Sequence, residues 1–168
     1  MTSLAQPAPR RLAAFEVASE PGNERLALAR VAEAVAASGL APARLERLKT
    51  AVAEATMNAI EHGNRGRPEI PVDVEVTQDG DDIIVAITDL GGEHEPPGPV
   101  EEPDLELKLD GEQRTRGWGL FLIRNMVDAM QVRTDGPRHT IRLTMRAGGG
   151  PPVPHTGGHE GDGDEEDV

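Results

Sequence analysis

Residues 72–89 read VDVEVTQDGDDIIVAITD, and this stretch constrains the fold more than any other. Val72, Val74 and Val76 alternate with Asp73 and Glu75, and Ile83, Val85 and Ile87 form a second row at the same period. Apolar residues at every second position belong to strands with one dry face and one wet face. Gln78-Asp79-Gly80-Asp81 between the two rows is hairpin punctuation. A second alternating stretch, Gln131 to Met145, bends around Asp135-Gly136. Two hairpins whose apolar rows need covering predict a mainly antiparallel sheet with helices layered on one face.

The helices are legible upstream and between the hairpins. Arg11–Val17 (RLAAFEV) is a candidate first strand. From Glu24 to Ser38 the chain is Ala-rich, with Leu28, Val31 and Val35 at helical spacing and Gly39 as a stop. A second helix starts near Pro42, which suits a first turn, and Leu45, Leu48, Val52, Ala55 and Ala59 follow the 3.6-residue period. Gly63 stands where a left-handed C-terminal cap is expected. A third helix is expected over GWGLFLIRNMVDAM, residues 117–130. The predicted order is strand, helix, helix, strand, strand, helix, strand, strand.

Two segments have no such pattern. Glu93–Arg116 holds four prolines and eight acids, and a stretch of that length without periodicity is either a functional lid or disordered. From Gly148 the chain is Gly, Pro and acid, which predicts a disordered tail; residues 1–9 are expected to be loose. One domain over residues 10–147 is the expected organisation, with 93–116 as its lid. His155 and His159 share no fixed helix face in such a tail, which argues against a metal site there.

Net charge is −13, with six acids in the tail; without it, 17 basic residues face 24 acidic ones. That balance argues against direct nucleic-acid binding. The chain has no cysteine, so thiolate metal sites and disulfides are excluded. No apolar run approaches the roughly 20 residues of a membrane span, and no apolar signal core opens the chain. The expectation is a cytoplasmic protein without a membrane partner.

The second helix ends in EATMNAIEHGN, which carries Glu54, Asn58 and His62 at i, i+4 and i+8. Two readings stay open: a solvated polar face ending in a His that suits the helix dipole, or a functional face. Asp89 ends the second apolar strand before Gly91-Gly92. It either makes a turn or accepts from an exocyclic amine such as that of adenine, with the glycines admitting a flat ring. Arg116-Gly117-Trp118-Gly119 precedes the third helix and is either a plain connection or an anion-receiving turn. Trp118 either covers a ligand or packs inward. The first helix carries Arg25 and Arg30, which could meet an acidic partner.

In order and spacing these three elements resemble the GHKL ATPase superfamily, and within it the bacterial anti-sigma factor serine-protein kinases of the switch type. EATMNAIEHGN is similar to the N box, DLGG to the first glycine box and RGWGLFLI to the second; the resemblance spans Arg11 to Met145. It implies the two-layer α/β sandwich of the Bergerat fold, an α+β architecture with a mainly antiparallel mixed sheet. It implies ATP and Mg²⁺ as cofactors, with Asn58 as the Mg²⁺ ligand and Glu54 as the general base that accepts a proton from a Ser or Thr hydroxyl. Asp89 would read adenine, with Gly91 lining the base pocket. Gly117 and Gly119 would form the phosphate-covering turn, with Leu120 starting the helix behind it. His62 would lie near the phosphates, and Arg114 and Arg116 are candidate phosphate contacts. The implied partners are a STAS-type anti-anti-sigma protein and a sigma factor, with a homodimer possible in this family.

The first glycine box departs from Asp-x-Gly-x-Gly, because Glu93 stands at its last position. That departure supports an alternative: a non-catalytic ATP-binding module that only sequesters a partner. A detached histidine-kinase ATPase domain acting on a His acceptor is a further alternative, and a plain scaffold without nucleotide is another. The chain has no Walker-type Lys motif, so P-loop chemistry is excluded.

Overall fold

The structure is a computed structural model that describes residues 7–91 and 116–148, with side chains at 116–118 left out. Of the lid expected over 93–116, residues 93–115 lie outside the described residues, as does the tail beyond Gly148; Arg116, expected as the last lid residue, instead opens a helix. Among the described residues five strands and three helices follow one another as β1 (Arg10–Val17), α1 (Glu24–Ala34), α2 (Pro42–Asn58), β2 (Val72–Asp79), β3 (Asp82–Asp89), α3 (Arg116–Met126), β4 (Ala129–Asp135) and β5 (Arg138–Arg146). Between α2 and β2 the helix continues as a π-helical turn over Ala59–Gly63.

The strands form one sheet in the order β1-β2-β3-β5-β4, and all four pairings are antiparallel. The alternation read from the sequence is the one that folds. Val72, Val74 and Val76 face inward with Ile83, Val85 and Ile87, and Ile141, Leu143 and Met145 extend the same dry layer. Helices α1, α2 and α3 cover it, contributing Ala27, Val31, Leu48, Ala51, Val52, Ala55, Leu120 and Ile123 to one core. This is the α+β two-layer arrangement expected. Both hairpins close through two-residue loops whose first position, Gly80 at φ 58° and Gly136 at φ 55°, needs the positive φ of a primed turn.

Three boundaries differ from the sequence reading. Helix α1 stops at Ala34, and the chain up to Gly39 tightens into three-residue turns, Ala36 N–H to Glu33 O and Ser38 N–H to Val35 O. Helix α3 gives up residues 127–130. Asp128 donates its N–H to Thr144 O and accepts from Arg146 N–H and the Arg44 guanidinium, so the chain is captured by β5 before the helix can continue. Gly63 is not a left-handed cap: the positive φ falls at Arg65 (54°) and Gly66 (64°), and Gly63 lies inside the π turn. The Gly66 N–H closes the helix end onto Ile60 O, a capping bond one residue wider than usual because the preceding turn carries an extra residue.

Candidate functional site

The period of 2 that builds the core also sets the chemistry at its end. Asp89 follows Ile83, Val85 and Ile87 at the same period, so it points inward, and it is 3% exposed. On β5, His139 precedes Ile141, Leu143 and Met145 in the same way, and the register places it directly opposite Asp89. His139 Nδ1 lies 3.1 Å from Asp89 Oδ2. Asp89 Oδ1 accepts from the Gly91 N–H at 3.2 Å. Both Asp89 oxygens are therefore engaged by groups that hold the carboxylate in one orientation.

The π turn brings the end of α2 against this carboxylate. Asn64 N–H reaches Ala59 O at 2.8 Å, five residues back, so one extra residue enters the turn. A Cβ on Gly63 would sit 2.3 Å from Asp89 Cγ, so only glycine permits the approach. The extra residue also breaks the i, i+4, i+8 register that put His62 on one face with Glu54 and Asn58. His62 is half-buried and is not among the residues lining the hollow described below.

Asn64, fully buried, ties the region together. Its Oδ1 accepts from Leu90 N–H at 2.9 Å, and its Nδ2 lies 3.0 Å from Ser19 Oγ, 3.1 Å from Ile70 O and 3.2 Å from Pro71 O. The strand end that carries Asp89 is thus pinned to the helix end that carries Asn58. Neither Asn64 nor His139 emerged as a candidate from the sequence. His139 was findable by extending the inward row of β5 by one more alternate residue.

Glu54 and Asn58, one turn apart on α2, are both half-buried. Helix α3 lies against them. A Cβ on Gly119 would sit 2.8 Å from Asn58 Nδ2 and 3.1 Å from Glu54 Oε1. The helix starts at Arg116, so Gly117 and Gly119 fall inside its first turn and not before it. Asn58, Ala59, Asp89, Leu120, Val132, His139 and Ile141 together line one hollow. The structure therefore brings Asn58, Asp89 and Leu120 to one place and sets Gly119 and Glu54 at its rim. Gly91 is half-buried just beyond Asp89.

The chemistry of Asn58 fits the cation of a magnesium–nucleotide group, while the hollow itself holds only about 10 Å³ of open space in this conformation. Asn58 Nδ2 is buried without a hydrogen-bond partner among the described residues, which leaves the amide unclaimed by the fold and its oxygen available to a hard cation. Among the described residues no cluster of three or more His, Cys, Asp or Glu side chains could hold a metal. A single amide ligand is the pattern of a cation whose other ligands come from phosphates and water.

Residues 17–145 match the family of the histidine kinase-like ATPase domain. The chain belongs to that family. Among curated relatives, this ATPase domain is 33% identical over 112 residues to the anti-sigma F factor of Oceanobacillus iheyensis, covering 66% of this chain and 75% of the relative. It is 31% identical over 134 residues to the anti-sigma F factor of Clostridium botulinum (strain Eklund 17B / Type B), covering 79% and 90%. Solved structures share the fold. The RsbU and RsbW domains of Rv1364c from Mycobacterium tuberculosis superpose with a TM-score of 0.58 at 18% identity, over 83% of this chain and 32% of that one. The SiaB–SiaC complex from Pseudomonas aeruginosa gives 0.57 at 16% identity, over 81% and 90%. The chain is thus of the superfamily that its sequence resembles. Among the described residues no helix is long and apolar enough to cross a membrane.

Proposed function

We propose that this ATPase domain is a cytoplasmic Mg·ATP-dependent serine/threonine protein kinase that also acts as an anti-sigma factor, with a STAS-type anti-anti-sigma protein as phosphoryl acceptor. The observation that carries the reading is the convergence of Glu54, Asn58 and Gly119 beside a hollow that Asn58 and Asp89 both line. The names of the anti-sigma F factor relatives, and of the SiaB–SiaC complex, support a partner-binding role.

In this reading Asp89 accepts from the exocyclic amine of adenine, with Gly91 beside the ring. Gly117 and Gly119 let the first turn of α3 approach the phosphates with backbone N–H groups. Asn58 Oδ1 holds Mg²⁺, which neutralises charge on the phosphates when bound. Glu54, one turn before Asn58, takes the proton from the attacking hydroxyl, so the oxygen that bonds to the γ-phosphorus loses its proton to the carboxylate. ADP leaves with the electron pair of the broken bond. Positioning and charge neutralisation do the remainder. His62 lies outside the lining of the hollow and has no step here.

Incubation with labelled ATP and a candidate STAS protein tests this directly. Transfer giving an acid-stable phosphoserine or phosphothreonine is expected, and Glu54→Gln is expected to keep Mg·ATP binding while lowering transfer by at least roughly a hundredfold, the scale of a lost general base. Persistent transfer in Glu54→Gln would remove Glu54 from that role. Nucleotide binding without any transfer would favour the sequestering module that Glu93 in the first glycine box allows. An acid-labile product would point to a histidine acceptor.

A further inference from the structure

The face of the sheet turned away from the helices carries its charge unevenly. We propose that the acidic segment 160–167 of this chain docks on that face, on the arginines that β4 and β5 present there, and covers them against other acidic surfaces. The inference stands apart from the nucleotide reading, whose residues lie on the opposite face.

On β5, Ile141, Leu143 and Met145 are buried, so Thr140 and Arg142 between them point away from the core. On β4, Met130 and Val132 pack on the core, and Gln131 and Arg133 point outward. The register sets Arg133 opposite Thr140, with Arg138 and Arg142 two residues to either side on β5. Diagonal neighbours across a strand pair lie roughly 7–8 Å apart, so one extended segment can meet all three arginines. The other end of the same face is acidic, with Glu16 on β1 paired to Asp73 on β2 and Glu75 beyond it. The acids facing the arginines are Asp135, opposite Arg138, and Asp73, 3.9 Å from the Arg138 guanidinium. Arg138 is therefore partly neutralised. Arg133 and Arg142 are exposed and form no ion pair among the described residues.

The acid to meet them follows on the same strand. Residues 160–167 hold Glu160, Asp162, Asp164, Glu165, Glu166 and Asp167, and no Lys or Arg follows Arg146. Strand β5 ends at Arg146, with Arg142 about 13 Å back along it and Arg138 about 26 Å, at roughly 3.3 Å per residue. A Gly-rich stretch as long as that from Gly148 to Glu160 covers roughly 20 Å root-mean-square and about 40 Å at full extension. Both arginines are within its reach. Tethering of that length gives an effective concentration in the millimolar range, so a contact with a dissociation constant of about 1 mM is half occupied. The acidic end of a second copy's sheet could meet the same arginines, but only at the concentration of the free protein. The tether therefore favours the chain's own segment.

The chain has no cysteine, so Gly163→Cys carries a nitroxide spin label at one place in the full chain. Paramagnetic broadening of nitrogen-15 NMR spectra then maps where the segment sits. At 0.1 M salt the amide signals of Arg133, Thr140 and Arg142 are expected to be lost. The hairpin at Gly80, nearer the end of β5 than Thr140 is, is expected to keep its signals. The lost signals should return at 1 M salt, as the screening length falls from about 10 Å to about 3 Å. They should also return in Arg133→Gln/Arg142→Gln, two exposed positions whose exchange leaves the melting temperature unchanged. Neutralising the segment instead, with Asp164→Asn, Glu165→Gln, Glu166→Gln and Asp167→Asn, is expected to abolish the loss without touching the sheet. Broadening that is absent at 0.1 M salt, or centred on the Gly80 hairpin, overturns the inference, and so does broadening that persists in either set of variants. A mixture of spin-labelled chain at natural abundance with unlabelled, nitrogen-15-enriched chain separates the occupants. Loss of the same signals in that mixture assigns the arginines to a second copy and overturns the intramolecular contact.

Discussion

At the scale of single residues, the site is held by two asparagines with opposite situations. Asn64 is fully bonded: one amide oxygen and one amide nitrogen link Leu90, Ser19, Ile70 and Pro71. Asn64→Ala orphans the Leu90 N–H and is expected to lower the unfolding free energy by about 2–3 kcal/mol, read from urea denaturation. Asn64→Asp keeps the acceptor for Leu90 but sets a second oxygen against the Ile70 and Pro71 carbonyls, so it is expected to destabilise more than the alanine. Asn58 is the reverse, with a buried Nδ2 that has no hydrogen-bond partner among the described residues. Gly119→Ala places a methyl group 2.8 Å from that nitrogen and 3.1 Å from Glu54 Oε1, and both are side-chain ends that can move. The fold should survive, since Ala favours a helix over Gly by about 1 kcal/mol. Mg·ATP affinity should fall by roughly tenfold or more, about 1.4 kcal/mol, and a titration beside a melting curve separates the two effects.

At the scale of elements, the π turn decides where the helix end meets the sheet. A regular α-helical turn over residues 59–63 would remove the extra residue, carry Gly63 off Asp89 and take Asn64 away from Leu90. The residue types alone do not announce this turn; the close packing of Gly63 on Asp89 accounts for it. A second junction works at the opposite end of the sheet, where Arg44 on α2 donates to Arg146 O at 2.8 Å and pairs with Asp128 ahead of β4. Arg44 is 6% exposed, so Arg44→Ala leaves a carboxylate and a carbonyl without their cation and is expected to cost about 3 kcal/mol, read as a lower urea midpoint with unchanged slope. Arg30 on α1, a candidate partner contact by sequence, lies 4.4 Å over the ring of Phe15 on β1, which gives it a structural task between helix and sheet.

At the scale of the whole molecule, a ligand that bridges α2, β3 and α3 adds ties to elements already held by packing and by the Asn64–Leu90 hydrogen bond. Mg·ATP at about a hundred times its dissociation constant should add about 2.7 kcal/mol to stability. For a domain of this size that is a rise in melting temperature of roughly 5–15 °C. A melting curve unchanged by saturating Mg·ATP would count against the nucleotide reading. The sequence by itself determined the layers, because the apolar period of 2 in Val72–Val76 and Ile83–Ile87, and of 3.6 in Leu48–Ala59, dictates which face of each element must be dry. It also placed Glu54, Asn58 and Asp89, since local spacing puts the first two one helical turn apart and the third at a strand end. Only the tertiary structure decided that His139 faces Asp89, that Gly63 yields space to a carboxylate and that Asn64 joins four segments. Those relations depend on strand register and on an inserted helical residue, which are set by contacts between positions 26 to 50 residues apart and carry no local signature.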